Sequence, residues 1–215
     1  MMSVIVITGT DTDVGKTVFA AALTAAVDGI YWKPIQAGRD GGTDTETVIR
    51  LSGLPADHVL PERHVLSNPL SPHRAAELDD TEIDDRDLIL PVAHAGSRPL
   101  IVEGAGGALV PVNRRTLFAD VFARWRVPVA ICARTGLGTI NHTLMTVEVL
   151  RQRDIPILGL VFIGDSVPDS EATISDFAGV KRLGRLPVLP RLDRDSLREA
   201  FCKHFSVEDF LVGHD

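Results

Sequence analysis

The stretch GTDTDVGKT, Gly9 to Thr17, is preceded by VIVI (Val4 to Ile7) and followed by TVFAAALTAAV (Thr17 to Val27). A continuous β-branched apolar run reads as a strand buried on both faces, and the pattern after the loop reads as a helix. Gly9 and Gly15-Lys16-Thr17 frame a phosphate-cradling loop with one residue more than the strict spacing allows. In a strand-loop-helix setting, backbone N–H groups and the helix N-terminus point at phosphate oxygens. Lys16 then meets the β/γ-phosphates and the Thr17 hydroxyl meets Mg²⁺. Asp13, Val14, Gly15, Lys16 and Thr17 are the resulting nucleotide candidates. An ordinary strand-to-helix turn is the competing reading, and the flanking pattern argues against it.

Working outward, Leu100 to Val102, Val127 to Ala133 and Ile157 to Ile163 are further continuous apolar runs. The turns EGAGG and RTGLG follow the first two, and Thr139 to Arg153 has a helical pattern. Strand, glycine turn and helix in repetition predict an α/β fold: a mostly parallel β-sheet flanked by helices on both faces. Ligands of such sheets gather beyond the carboxyl ends of the strands, where these turns fall. Gly41 to Asp87 is more polar, contains Pro55, Pro61, Pro69 and Pro72, lacks a strong strand signal and reads as helices and loops layered on the same domain. Its acidic cluster, Asp79, Asp80, Glu82, Asp84, Asp85 and Asp87, reads as a solvated helix start or loop. Residues 1–215 are expected to form a single domain.

The 45% hydrophobic content suits a globular core, and a net charge of −7 without a basic block disfavours a nucleic-acid partner. Cys132 and Cys202 belong to no metal-binding spacing, which fits a reducing cytoplasm. The N-terminus has no basic flank or cleavage site, and no run approaches the roughly 20 apolar residues of a membrane span. A soluble cytoplasmic protein, with no membrane partner, is expected.

Magnesium needs oxygen ligands beyond one threonine. Glu103 closes Leu100-Ile-Val and opens EGAGG, and a carboxylate directly after a buried strand is costly unless a cation meets it. A helix cap is the alternative there. Asp44, in GGTDTET, is equally readable as an N-cap or as a metal ligand. Lys33, in YWKPIQAG, closes a short apolar stretch and suits the stabilisation of charge during transfer, with a surface lysine as the bland alternative.

Together, GTDTDVGKT, KPIQAG, SPHRAA (Ser71 to Ala76), VEGAGGALVPV (Val102 to Val112), FAD (Phe118 to Asp120) and GLGTINHTLMT (Gly136 to Thr146) resemble the dethiobiotin synthetase family of P-loop NTPase type. The resemblance runs from the start of the chain to about residue 165. It implies ATP- and Mg²⁺-dependent carboxylation and ring closure of 7,8-diaminononanoate with CO₂. On that reading Lys16 and Lys33 stabilise phosphoryl and carbamate charge, with Thr12 beside them as a catalytic and substrate residue. Thr17, Asp44 and Glu103 surround Mg²⁺. Gly104, Ala105 and Gly106 border the nucleotide, and Gly106, Gly107 and Ala108 border the diamine and carbamate.

The resemblance also implies a homodimer in which the helix start after GLG of the neighbouring subunit, Gly138 to His142 with Asn141, holds the substrate carboxylate; His142 reads as a packing residue. The family often has Ser or Thr at Ala37, Glu at Asp13 and Asn at Ile163, so a substrate hydroxyl contact is missing and base selectivity is open. Ile163, Gly164 and the loop residues Pro187, Val188 and Leu189 are the implied base contacts, the last through backbone groups. An amidotransferase of cobyrinate type would need a glutaminase cysteine that this chain lacks. A partition-type nucleotide switch usually carries an extra lysine early in the loop, where Thr10 to Val14 hold none.

Overall fold

A strand buried on both faces needs cover on both sides, and β1 (Val4–Gly9) shows how the chain supplies it. Val4 and Val6 enter one apolar core, while Ile5 and Ile7 enter the other. The computed structural model describes residues 3–211. After β1 come α1 (Lys16–Ala26), β2 (Ile30–Trp32), β3 (Ile35–Ala37), α2 (Asp44–Ser52), β4 (Val59–Leu60), β5 (His64–Leu66) and α3 (Pro72–Leu78). Then follow α4 (Val92–Ala95), β6 (Leu100–Gly107), α5 (Phe118–Trp125), β7 (Val129–Arg134) and α6 (Thr139–Arg151). The last elements are β8 (Ile157–Ile163), α7 (Pro168–Ala178), β9 (Arg182–Leu186) and α8 (Arg194–His204).

Seven strands form one sheet in the order β4-β2-β6-β1-β7-β8-β9, and every pairing is parallel. Phe19 and Leu23 of α1, Val48 and Leu51 of α2, and Leu197 and Phe201 of α8 cover one face. Ala75 of α3, Phe118 and Phe122 of α5, Val147 and Leu150 of α6, and Ile174 of α7 cover the other. Burial on both sides is why the strand sequences are continuously apolar rather than alternating. The chain leaves β1 toward β2 on one side and later adds β7 on the other. The sheet order therefore reverses beside β1, and the crevice at such a reversal collects ligands.

The expected strands and helices are present within one or two residues, except that EGAGG is not a turn. β6 continues through Gly107, because Ile7 pairs with Glu103 and Gly9 with Gly107. Glycine weakens a strand, but pairing along a central neighbour outweighs that preference. Glu103 consequently lies within a strand, neither at its end nor at a helix cap. The polar stretch Gly41 to Asp87 does contain strands, the short β4 and β5. They are too brief for a sequence pattern, with β4 extending the main sheet and β5 pairing with β3. No helix among the described residues is long and apolar enough to cross a membrane.

Candidate active site

The phosphate loop turns on two residues with positive φ, Asp13 at 55° and Gly15 at 92°. Gly15 is the N-cap of α1, and a side chain there would meet the Ile163 methyl groups at 3.0 Å. Gly9 is constrained differently: a Cβ would stand 2.7 Å from the Asp11 carbonyl, so only glycine lets the loop fold back on its strand. Lys16 opens α1 and its Nζ donates to the Asp11 carbonyl at 3.1 Å. Burial lowers the Lys16 pKa against the raising effect of Glu103, and Lys33 lowers it further.

Beside Lys16, four elements bring charged side chains together. Trp32 of β2 pairs with Val102 of β6, so Lys33 follows β2 opposite Glu103. Lys33 is 4% exposed and Glu103 1% exposed. Lys33 Nζ donates to Glu103 Oε1 at 3.1 Å and is also ion-paired with Asp44 at the start of α2. Thr17 Oγ1, one residue into α1, lies 3.0 Å from Asp44 Oδ1 and 2.8 Å from Glu103 Oε1. Tyr31, fully buried on β2, donates its hydroxyl to Glu103 Oε2 at 2.9 Å.

Burial pulls the Lys33 pKa down, but Glu103 and Asp44 overcome it and the net shift is upward. Burial likewise pushes Asp44 up, and the charge and hydrogen bonds of Lys33, with help from Thr17, bring it below the ordinary carboxylate range. Buried ions survive only when paired in this way. Lys33 is therefore no surface lysine.

Asp44 is not the N-cap of α2. Thr43 is: its hydroxyl accepts from Glu46 N at 3.1 Å while Glu46 Oε2 accepts from Thr43 N at 2.8 Å. With capping done by its neighbour, the Asp44 carboxylate is free for Thr17 and Lys33. Gln36 aims the helix start, accepting from Asp44 N at 3.1 Å and donating to the Gly38 carbonyl at 3.0 Å. Tyr31 and Gln36 were not anticipated from the sequence. A signal existed for Tyr31, which stands two residues before Lys33 on a strand and so shares its face.

Lys16, Thr17, Lys33, Gln36, Asp44 and Glu103 line a cleft of about 750 Å³ together with Thr12, Asp13, Gly15, Ala37, Ala105 and Gly106. Leu70 with Ser71 and Pro72, the start of SPHRAA, closes another side. Gly107 and Ala108 line an adjoining hollow of about 360 Å³, which shares Thr12 and Val110 with the cleft and continues to His142 and Met145 of α6. Val14 and Gly104 contribute nothing to the cleft wall: Val14 is 4% exposed in the core, and Gly104 faces the Phe122 ring. Ile163 packs on Gly15, Gly164 lies against Thr135 at a φ of 131°, and Val188 is exposed while Leu189 packs on the core. Ile163, Gly164, Val188, Leu189 and Pro187 do not line the cleft. Gly138 and Asn141 are exposed at the start of α6, also outside it.

Among the described residues no three His, Cys, Asp or Glu side chains converge as a metal cage. The oxygen set here is two carboxylates and a hydroxyl, which matches Mg²⁺, an ion that keeps several waters and takes few protein ligands beside substrate phosphates.

Comparison with solved structures reproduces this architecture. A ParA family ATPase from Chlorobium tepidum aligns with a TM-score of 0.56 at 14% identity, covering 96% of this chain and 92% of that one. The cell division ATPase MinD of Pyrococcus furiosus gives 0.56 at 14% identity, covering 93% and 89%. At such identities the likeness speaks for the fold. A family model described as an AAA domain matches residues 3–196. An ATP-dependent dethiobiotin synthetase BioD from Novosphingobium aromaticivorans is 59% identical over 97% of this chain and 100% of its own length. Those of Afipia carboxidovorans and Nitrobacter hamburgensis are 55% and 56% identical, each over 99% of this chain. With near-complete coverage on both sides, and with a cleft that joins a phosphate loop to a buried cluster of acids and a lysine, the chain belongs to the ATP-dependent dethiobiotin synthetase family.

Proposed function

We propose that the chain closes 7,8-diaminononanoate to dethiobiotin with CO₂ and ATP, the penultimate step of biotin biosynthesis, in the cleft between α1, α2 and β6. The observation that carries this reading is the buried Lys33 beside Lys16, Thr17, Asp44 and Glu103 in one cleft that continues past Thr12 into a second hollow.

One substrate amine adds to CO₂ and loses a proton, giving a carbamate. A carbamate oxygen then attacks the γ-phosphorus of ATP, and the bond to the ADP oxygen breaks. The second amine attacks the carbonyl carbon of the mixed anhydride, phosphate leaves with its bonding electrons, and a proton is released as the ring closes. Two anions must meet in line, so positioning and charge stabilisation supply most of the acceleration.

Lys33 suits the carbamate and transferring phosphoryl oxygens because its surroundings keep it protonated. Lys16 is placed for the β/γ-phosphates, reaching from the base of the loop where it now meets Asp11. Backbone N–H groups of Asp13 to Thr17 point along the N-terminus of α1, the favoured end for anions. Thr17, Asp44 and Glu103 would hold Mg²⁺, which when bound neutralises charge on the phosphoryl oxygens. Thr12, at the seam of cleft and hollow, and Gly106 on the cleft wall border the diamine, with Gly107 and Ala108 beyond. Ala37 lines the cleft without a hydroxyl to offer.

The substrate carboxylate is assigned to the N-terminus of α6 in a second subunit, Gly138 to Asn141. Leu137 beside it is fully exposed, and Leu109 and Met145, which line the hollow, are half-exposed; a homodimer contact would cover such apolar side chains. Toward the nucleotide base, Ile163 can pack but cannot read a hydrogen-bonding edge. ATP is expected to be favoured over other nucleoside triphosphates by about 100-fold or less in kcat/KM, the range of sites that do not pair polar groups.

The decisive measurement supplies Mg-ATP, bicarbonate and 7,8-diaminononanoate and follows ADP and dethiobiotin. Stoichiometric formation of both supports the reading. Hydrolysis of ATP indifferent to the diamine overturns it.

A further inference from the structure

We propose that the Tyr31 hydroxyl is a positioning group for the Glu103 carboxylate: it occupies Oε2 and so presents Oε1 alone to Mg²⁺, Thr17 and Lys33. The inference rests on the reading of Glu103 as a Mg²⁺ ligand and adds to it a residue outside the cleft wall. Tyr31 does not line the cleft, whereas Glu103 does.

The register of the sheet makes the contact. Tyr31 pairs with Ile101 across β2 and β6, so Tyr31 and Glu103 are diagonal neighbours on one face of the sheet. Glu103 Oε1 meets Thr17 at 2.8 Å and Lys33 at 3.1 Å on the cleft side, and Oε2 meets Tyr31 at 2.9 Å on the core side. Each oxygen thus has its own partners, and the carboxylate plane is held. A carboxylate on a strand has rotatable side-chain bonds; without Tyr31, Oε2 would be a buried acceptor with no partner and would compete for the donors of Oε1.

Tyrosine suits this task because it can only donate here. A phenol ordinarily titrates at about pH 10 and carries its proton at neutral pH, so the hydroxyl donates to the Glu103 carboxylate. Hydrogen-bond partners of metal-ligating carboxylates set the geometry of the ligand and are costly to remove, on the order of 10-fold or more in metal affinity.

The test uses the full chain and four proteins: wild type, Tyr31→Phe, Glu103→Gln and the double variant. Mn²⁺ is titrated in the presence of ADP by electron paramagnetic resonance, alongside thermal melting and steady-state kinetics against Mg²⁺ and the diamine. Tyr31→Phe is expected to raise the Mn²⁺ Kd and the KM for Mg²⁺ by about 10-fold, with the KM for the diamine unchanged. In the Glu103→Gln background the same change is expected to have no further effect on Mn²⁺, because the two groups act as one unit. If Glu103→Gln weakens Mn²⁺ binding while Tyr31→Phe binds it like wild type, the positioning role is overturned, whatever Tyr31→Phe does to melting. Equal weakening by Tyr31→Phe with and without Glu103 overturns it too, as an effect that bypasses Glu103. If Glu103→Gln itself leaves Mn²⁺ affinity unchanged, the ligand assignment beneath the inference fails, and the inference with it.

Discussion

Glu103 and Glu77 are both held by several donors, yet they do different work. Glu77, on α3, accepts from Arg74 at 3.0 Å and from Arg114 at 2.8 Å, and those hydrogen bonds, Arg114 first, hold its carboxyl down to about 2. Its partners stand in water, with Arg74 and Arg114 more than half exposed. Glu103 is surrounded by Lys33, Thr17 and Tyr31 away from water. Solvent readily replaces a partner of Glu77, whereas Glu103, 1% exposed, depends on the partners the protein places around it. Low local dielectric is what converts an ion pair into machinery.

The comparison is tested most severely by Lys33→Ala. Turnover is expected to fall on the order of 10³-fold, with ATP affinity changed only several-fold by calorimetry. Unpairing buried Glu103 should also cost about 3 kcal/mol or more in denaturant unfolding. Normal turnover would remove Lys33 from the chemistry, and unchanged stability would break the dielectric argument. Next, Gln36→Leu removes the acceptor of Asp44 N and the donor to Gly38; we expect a loss of about 1–3 kcal/mol in unfolding and a raised KM for Mg²⁺.

Asn141→Ala sharpens the contrast in another way, because Asn141 is an exposed residue like Arg114 in the isolated chain. If a second subunit covers it, the KM for the diamine should rise about 10-fold, a loss of ~1.4 kcal/mol within the range of a hydrogen bond to a charged group. An unchanged KM would remove it from the substrate site. Sedimentation should show a dimer that Leu137→Asp disrupts; a monomeric wild type would sink the shared-site reading. Arg114→Ala is the small end of the series, with neither melting temperature nor kinetics moving measurably, as for most exposed pairs. A clear loss there would mean that surface pairing matters more in this protein than its exposure implies.

Much of the architecture was legible because two-sided burial writes itself into a strand as a continuous apolar run. Val4 to Ile7 and Ile157 to Ile163 could be read directly for that reason. Lys16 and Thr17 were equally plain, since loop chemistry is local. Glu103 was found, but its setting was misread: EGAGG has the composition of a turn, and only the pairing of Ile7 with Glu103 and Gly9 with Gly107 makes it strand. Asp44 remained divided between cap and ligand because the sequence TDTE supports either. The capping box assigns the cap to Thr43 and Glu46 and leaves the Asp44 carboxylate to Thr17 and Lys33.

The class of fold, the phosphate loop and the list of charged residues available for chemistry all follow from local pattern and residue type. Tertiary structure alone decided that Tyr31, Lys33, Asp44 and Glu103 meet, and that Val14 and Gly104 turn away from the cleft. Those outcomes depend on strand register and on which helix start faces which strand end. Thr17 and Glu103, for one, are 86 positions apart, a distance over which no local pattern carries information.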